Sequence, residues 1–331
     1  MTNLRDIKKR INSVTSTQQI TRTMEMVATA KIKRATDRIV AATPYATAMA
    51  GVLVSLVNRT KNAKNPLMLK HQTLDKVIVI VIASDRGMAG GFNSSVLRAA
   101  DHYISQMETY DIACDVIACG RKAIAYFKYR QIPVVLSLLA SSADPTITDA
   151  NRISAYVIDS YTAGQSDQVI LFYNHAKNVA DQTLRLEQVL PITDLSSDQD
   201  ADVDWEAVYV DESAKTAAAG TSAKISEAQE RTHLTSGNGE VGEDYYEYMP
   251  TPRAVLDVLL PDYVRTRIYH ALLDSAAGEQ GARRKAMKSA TDNANEMIAT
   301  LMRMYNRARQ TAITTEIAEI VGGAAALEVD D

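Results

Sequence analysis

Two cysteines in 331 residues are too few for a disulfide framework or a thiolate metal site. Cys114 and Cys119 share the segment DIACDVIACG, and their odd offset places them on opposite faces if the segment is a strand. Cations are not in excess: 36 Lys and Arg against 40 Asp and Glu leave a net charge of −4, which argues against general nucleic-acid binding. No apolar run in this reading approaches the length of a membrane span, Val77 to Ala83 being far too short. The N-terminus MTNLRDIKKRI has no apolar signal core, so a prokaryotic cytoplasmic protein is expected. The five histidines, His71, His102, His175, His233 and His270, are scattered, and none sits at metal-ligand spacing with Cys or a carboxylate. There is no G-x-S-x-G elbow, and Asp144, Asp149 and Asp159 read as cap and surface residues. Gly87, Gly90 and Gly91 form neither G-x-G-x-x-G nor a P-loop, so a tight turn is favoured over a phosphate cradle. No catalytic, cofactor or metal site is expected.

Helix breakers are scarce at both ends. From Asn3 to Asn58 only Pro44 interrupts a helical pattern, and from Pro252 to Leu327 only Pro261 and a few glycines do. Leu4, Ile7, Ile11 and Val14 alternate at three- and four-residue spacing, as do Met287, Ala290, Ala294, Ile298, Leu301, Tyr305, Ala308 and Ala312. That is the seam of a helix packed on another helix, and it predicts one antiparallel coiled coil made from the two ends. At 1.5 Å per residue, roughly 70 residues make a rod of about 100 Å, which points to a spatial or mechanical role. The polar stretch TSTQQITRT (15–23) interrupts the apolar seam and is expected to face outward. The first 38 residues are rich in Lys and Arg, whereas 194–247 is strongly acidic. The basic run reads either as a solvated face or as a surface for an acidic protein partner.

The middle of the chain predicts an α/β domain. KVIVIVIAS (76–84) is a continuous β-branched run, followed by the turn DRGMAGG and a helix capped by Asn93, Ser94 or Ser95. CDVIACG (114–120), IPVVLSLL (132–139), QVILFYN (168–174) and QTLRLEQVLPI (182–192) supply further strands, with helices over 121–130 and 148–163 between them. This alternation implies a mostly parallel, Rossmann-like sheet covered by helices. The expected parts are an N-terminal coiled-coil helix at 1–58, the α/β domain at 75–210, an acidic, alanine- and glycine-rich insertion at 211–244, and a C-terminal coiled-coil helix at 250–327. A coiled-coil scaffold and a nucleotide-using α/β enzyme are the alternatives on these observations alone.

Four segments carry a family resemblance. IKKRINSVTSTQQITRTMEMVATAKIKRA, SDRGMAGGFN, and the pair ARRKAMKSATDNANEMI and YNRARQTAITTEIAEIVGGAAAL resemble the gamma subunit of F-type ATP synthases, the central rotor shaft. The resemblance covers nearly the whole chain except 211–244. It implies a non-catalytic, cofactor-free subunit whose coiled coil turns inside a ring of alpha and beta subunits. The α/β domain would rest on a proteolipid ring with epsilon alongside, at the cytoplasmic face of a bacterial plasma membrane. It further implies that Arg283, Arg309, Gln310 and Thr314 meet beta-subunit loops, and that Met24, Lys9, Arg10, Lys33, Arg34 and Arg86 face the acidic lever of beta. The apolar tip, with Ile317, Ile320 and Val321, would be a bearing surface. Photosynthetic members carry a redox-active cysteine pair in a similar insertion; 211–244 has no cysteine, so that regulation is not implied.

Overall fold

Alternating β-branched residues decide the centre of the protein. In strand β1 (Lys76–Ile82), Ile78, Ile80 and Ile82 enter one core cluster, while Val77, Val79 and Val81 enter another. A strand buried on both faces is what a continuous apolar run encodes. The computed structural model describes residues 4–59, 65–139, 142, 144–178, 181–193 and 248–328, with the backbone alone for 58, 59 and 322–328. The 211–244 segment lies outside the described residues.

Residues Lys31–Ala282 form one unit, and Met1–Ala30 with Arg283–Asp331 form another. In the first, five strands lie in the order β3-β2-β1-β4-β5, with β2 (Ala113–Cys119), β3 (Val134–Leu138), β4 (Gln168–Ala176) and β5 (Gln182–Leu190). The three pairings from β3 through β4 are parallel, and β5 returns antiparallel along β4. Helices α2 (Phe92–Thr109) and α3 (Arg121–Tyr129) cover the valine face, where Val96, Ala100, Ile104, Ala123 and Phe127 are buried. Helix α4 (Ile147–Thr162), through Ile153, Val157 and Tyr161, packs in the isoleucine cluster. Met49, Leu53 and Leu56 of α1 (Leu4–Arg59) and Leu256, Leu260 and Ile268 of α5 (Pro252–Glu328) join the same cluster. Cys114 packs with the valine cluster and Cys119 with the isoleucine cluster, on opposite faces as their offset requires. Burial pushes both thiols up to about 12, so neither is a reactive thiolate at neutral pH.

Four sequence expectations need correction. Helix α2 is capped by the Gly91 backbone, not by Asn93, Ser94 or Ser95. Asn93 is drawn instead to Ser84, whose N–H donates to its Oδ1 at 2.9 Å. Helix α4 starts one residue earlier than expected, because Thr146 and Asp149 form a reciprocal capping box. Pro44 and Pro261 do not interrupt their helices. At Pro44 the orphaned carbonyl belongs to Val40, and both residues are exposed to water, which satisfies it. Finally, the α1 stretch Leu4–Val57 does hold an 18-residue window long and apolar enough to cross a membrane. Its alanines, threonines and lone tyrosine hid it from a search for unbroken aliphatic runs, and its Met49, Leu53 and Leu56 are in the core described above.

An acid-sensitive clasp ties the segment before β1 to the residue that precedes β4. Asp167 accepts from the N–H groups of Asp75 at 2.8 Å and Lys76 at 2.9 Å, and pairs with His71 Nδ1 at 2.8 Å. Burial pushes this carboxyl up, but the His71 and backbone hydrogen bonds outweigh it and hold the group below its ordinary value. A depressed carboxyl contributes stability above its unfolded pKa, and that contribution disappears as pH falls through the folded value. Asp167→Asn is therefore expected to flatten the acid limb of a thermal-stability profile below about pH 4, while leaving the secondary structure at neutral pH unchanged by circular dichroism. An unchanged acid limb contradicts the assignment.

Candidate functional site

A heptad repeat organises the paired helices. Along α1 the least exposed residues fall at Leu4, Ile7, Ile11, Val14, Gln18, Thr21, Glu25 and Ala28, each three or four residues from the last. Spacing that averages 3.5 keeps one stripe against a partner helix. On α5 the matching stripe is Met287, Thr291, Ala294, Ile298, Leu301, Tyr305, Ala308 and Ala312. Thr291, rather than the predicted Ala290, is the buried member at its turn.

Ser16, Thr17, Gln19, Arg22 and Thr23 face outward as expected, but Thr21 is buried in the seam and Gln18 is half-buried there. Thr21 Oγ1 lies 2.7 Å from Thr291 Oγ1 in a buried pair, and Gln18 Nε2 donates to Asn295 Oδ1 at 2.7 Å. As the α1 number rises from Gln18 to Thr21, the α5 number falls from Asn295 to Thr291, so the helices run antiparallel. The signal was present in the sequence: continuing Ile11 and Val14 by four and then three residues reaches Gln18 and Thr21. Polar pairs in an apolar seam select one register at some cost in stability. Thr291 Oγ1 also donates to the Met287 carbonyl at 2.9 Å, so Thr21→Val removes one hydrogen bond and is expected to destabilise the protein by about 0.5–1.5 kcal/mol, whereas Thr21→Val with Thr291→Val is expected to lose less than the sum of the two single variants. Chemical denaturation of the parent and of single and double variants measures this coupling; additive losses contradict the pairing.

The predicted contact residues divide between the two units. Lys9, Arg10, Arg309, Gln310 and Thr314 are exposed on the paired-helix unit, and Met24 is half-buried there. Arg10 and Met24 each precede a seam residue, Ile11 and Glu25, and so share one flank of α1. Arg283 differs from the rest: it is only 8% exposed. Lys33, Arg34 and Arg86 are exposed residues of the other unit. Lys31 and Arg38, absent from the predicted set, occupy the same heptad position as Arg10 and Met24; Arg38 pairs with Asp144.

The tip has a simple origin. By the register of Thr21 with Thr291, the start of α1 at Leu4 lies opposite the turn of α5 near Ala308. Residues beyond Ala312 therefore run on without α1 beside them. Ile313, Ile317, Ile320 and Val321 are 43%, 56%, 72% and 61% exposed, an apolar surface on a single helix. Such exposure in a folded chain marks an interaction surface.

Both ends of the glycine-rich turn are tied down by internal hydrogen bonds. Asp85 N–H donates to Ser142 Oγ at 2.9 Å, Ser84 N–H to Asn93, and Phe92 N–H to the Ala89 carbonyl at 3.2 Å. Asp85 in turn accepts from Arg121 N–H and Ser142 Oγ. In a doubly wound sheet the ligand crevice opens where the crossovers diverge, here at the carboxyl ends of β1 and β4. Helix α5 occupies that place: its Gly278 Cα would present a Cβ 3.2 Å from the Asn174 carbonyl, and its Ala282 packs with Ala89 and Phe92. Asp274 fixes the helix there by accepting from Ala176 N–H at 3.0 Å and pairing with His175. From Ala271 to Ala282 nearly every residue is buried, as in a helix enclosed on all sides. No cluster of metal-ligating side chains occurs among the described residues.

Comparison with known proteins agrees with this arrangement. A family model described as ATP synthase matches residues 3–327. The ATP synthase gamma chain of Heliobacterium modesticaldum is 38% identical over 327 residues, covering 99% of this chain and all of the relative. That of Chlorobaculum parvum is 35% identical over 331 residues, with the same coverage of this chain. Among solved structures, a chain of the Euglena gracilis mitochondrial ATP synthase matches at a TM-score of 0.58 and 18% identity, covering 98% of this chain and 94% of that one. A chain of the Tetrahymena thermophila mitochondrial ATP synthase, from its central stalk and c-ring, matches at 0.52 and 21%, covering 82% and 99%. At these identities the structural likeness establishes the fold.

Proposed function

The chain belongs to the ATP synthase gamma-chain family, and from that premise we propose that it is the central rotor shaft of a proton-translocating F-type ATP synthase. It is a non-catalytic subunit. Its helices at 1–58 and 250–327 turn within a ring of alpha and beta subunits, and its α/β part at 75–210 stands with epsilon on the proteolipid ring. The complex is peripheral to a membrane, and its place is the cytoplasmic face of a bacterial plasma membrane. The observation that carries the reading is the bare apolar end of α5, where Ile313, Ile317, Ile320 and Val321 have no partner helix beside them and suit a bearing.

The chemistry of the flanks fits contacts that must form and break. Lys9, Arg10, Lys33, Arg34 and Arg86 are exposed cations suited to an acidic lever on beta, which Met24 would also face. Arg309, Gln310 and Thr314 offer charged and polar groups to beta-subunit loops. Exposed ion pairs are individually worth little and are screened by salt, so each is released without a large barrier. Arg283 acts from the interior, with only its edge available to a partner.

Two measurements test this together. Purified alone, the chain is expected to bind no ATP by calorimetry and to hydrolyse none. Drawn from detergent-solubilised membranes, it is expected to elute with alpha and beta subunits and their ATPase activity. Micromolar ATP binding by the isolated chain, or its elution free of both subunits, contradicts the reading.

A further inference from the structure

The outer face of the α/β unit carries a groove that none of the contacts above uses. It is an open trough of about 630 Å³ between α2 and α3. Leu97, Ala125 and the rings of Tyr126 and Tyr129 give it an apolar lining, and Arg98 and Lys122 stand on its walls. Tyr129 is 85% exposed, an unusual cost for a large aromatic side chain unless something covers it.

The charge of this surface is one-sided. Helix α3 and its C-cap read RKAIAYFKYR, with Arg121, Lys122, Lys128 and Arg130 and no carboxylate. Only Arg130 is neutralised: it pairs with Asp101 at 3.3 Å and lies over the Tyr126 ring, whose hydroxyl also donates to Asp101. Arg98 donates from Nε to the Ser94 carbonyl, and neither it nor Lys122 forms an ion pair among the described residues. Asp101 is thus already engaged, and the cations on the walls are left for an external anion.

We infer that the α2–α3 groove is a docking surface for an acidic amphipathic helix of a partner protein. Such a segment sets an apolar side chain on Leu97, Ala125 and Tyr126, is capped by Tyr129, and aims carboxylates at Arg98 and Lys122. The apolar lining favours a peptide over nucleic acid, whose backbone seeks a continuous basic track. At 1.5 Å per residue, the nine residues of α3 span about 13 Å, room for two to three turns of a docked helix. The inference stands apart from the shaft reading, since no residue assigned there lines the groove.

Photo-crosslinking in the intact complex tests it. Tyr129→p-benzoylphenylalanine is irradiated in the complex purified from its membranes, and the linked peptide is sequenced by mass spectrometry. The expected product joins position 129 to an acidic, amphipathic segment of another polypeptide in the same complex. Arg98→Glu with Lys122→Glu, both on exposed positions, is expected to cut its yield about tenfold through charge repulsion, and high salt to weaken it. Ala125→Trp, which fills the trough without altering charge, is expected to abolish it. The inference is overturned by a cross-link to residues 194–247 of the same chain, which makes the occupant intramolecular, or by a link to nucleic acid. It is also overturned by a partner segment without acidic residues, by a yield insensitive to all three substitutions, or by a yield no greater than from a probe at the exposed Ile147.

Discussion

Gly120→Ala is expected to cost more than about 4 kcal/mol, the range reached only when a named structural feature is broken. Gly120 follows β2 with φ +93°, and a Cβ there would lie 2.1 Å from the Ala83 carbonyl oxygen and 2.9 Å from its carbon. Both obstacles are backbone at the end of β1, held by the bonds from Ala83 N–H to Cys119 O and from Gly120 N–H to Leu138 O. Neither can rotate away, so the sheet must open or the turn must break. The left-handed backbone adds its own penalty for any residue with a side chain. Gly87→Ala is the matched control, because a Cβ at Gly87 meets nothing within 4 Å; its effect is expected to stay within about 0.5 kcal/mol. Thermal unfolding of the two variants separates them, and equal melting temperatures would refute the packing described at Gly120.

Ile7→Asp is the second large effect. Ile7 is 3% exposed in the α1 seam. Replacement removes about 2–3 kcal/mol of apolar burial and forces a carboxyl into the seam without a partner, a further loss of similar size. Local pairing of the helices near the end of α1 is expected to fail, and ATP synthesis in inverted membrane vesicles to fall to a small fraction of the parent rate. Ile20→Asp is the control at a residue 60% exposed, off the seam, and should leave the helices paired. Parent-like synthesis by the Ile7 variant would mean that the first turns of α1 do not form the seam.

Much of this architecture is legible in the chain because its signals are local and strong. The isoleucine and valine alternation of β1 announces a strand buried on both faces, and the three-four spacing from Leu4 and from Met287 announces two helices that need a partner. What escaped depends on neighbours distant in sequence. The spacing from Ile11 and Val14 reaches Thr21, but only its contact with Thr291 shows why a hydroxyl stands there. Asn93 reads as a cap until Ser84 claims its side chain. Gly120 reads as the end of a strand, and only the approach of the Ala83 carbonyl shows why no other residue serves. The contact residues are the least legible of all. Lys9, Arg10 and Arg309 look like any solvated helix charges, and only the resemblance of their surrounding segments singles them out. Arg283 shows the limit from the other side, since its type suggests a surface cation and its burial does not.

The central claim is that the chain turns. The direct measurement fixes the alpha and beta ring of the purified complex to a glass surface, attaches a light-scattering bead to the exposed α/β part of this chain, and follows the bead on adding ATP. The account predicts continued rotation in one direction that stops when hydrolysis is inhibited. A bead that stays still while the same immobilised complexes hydrolyse ATP would contradict it.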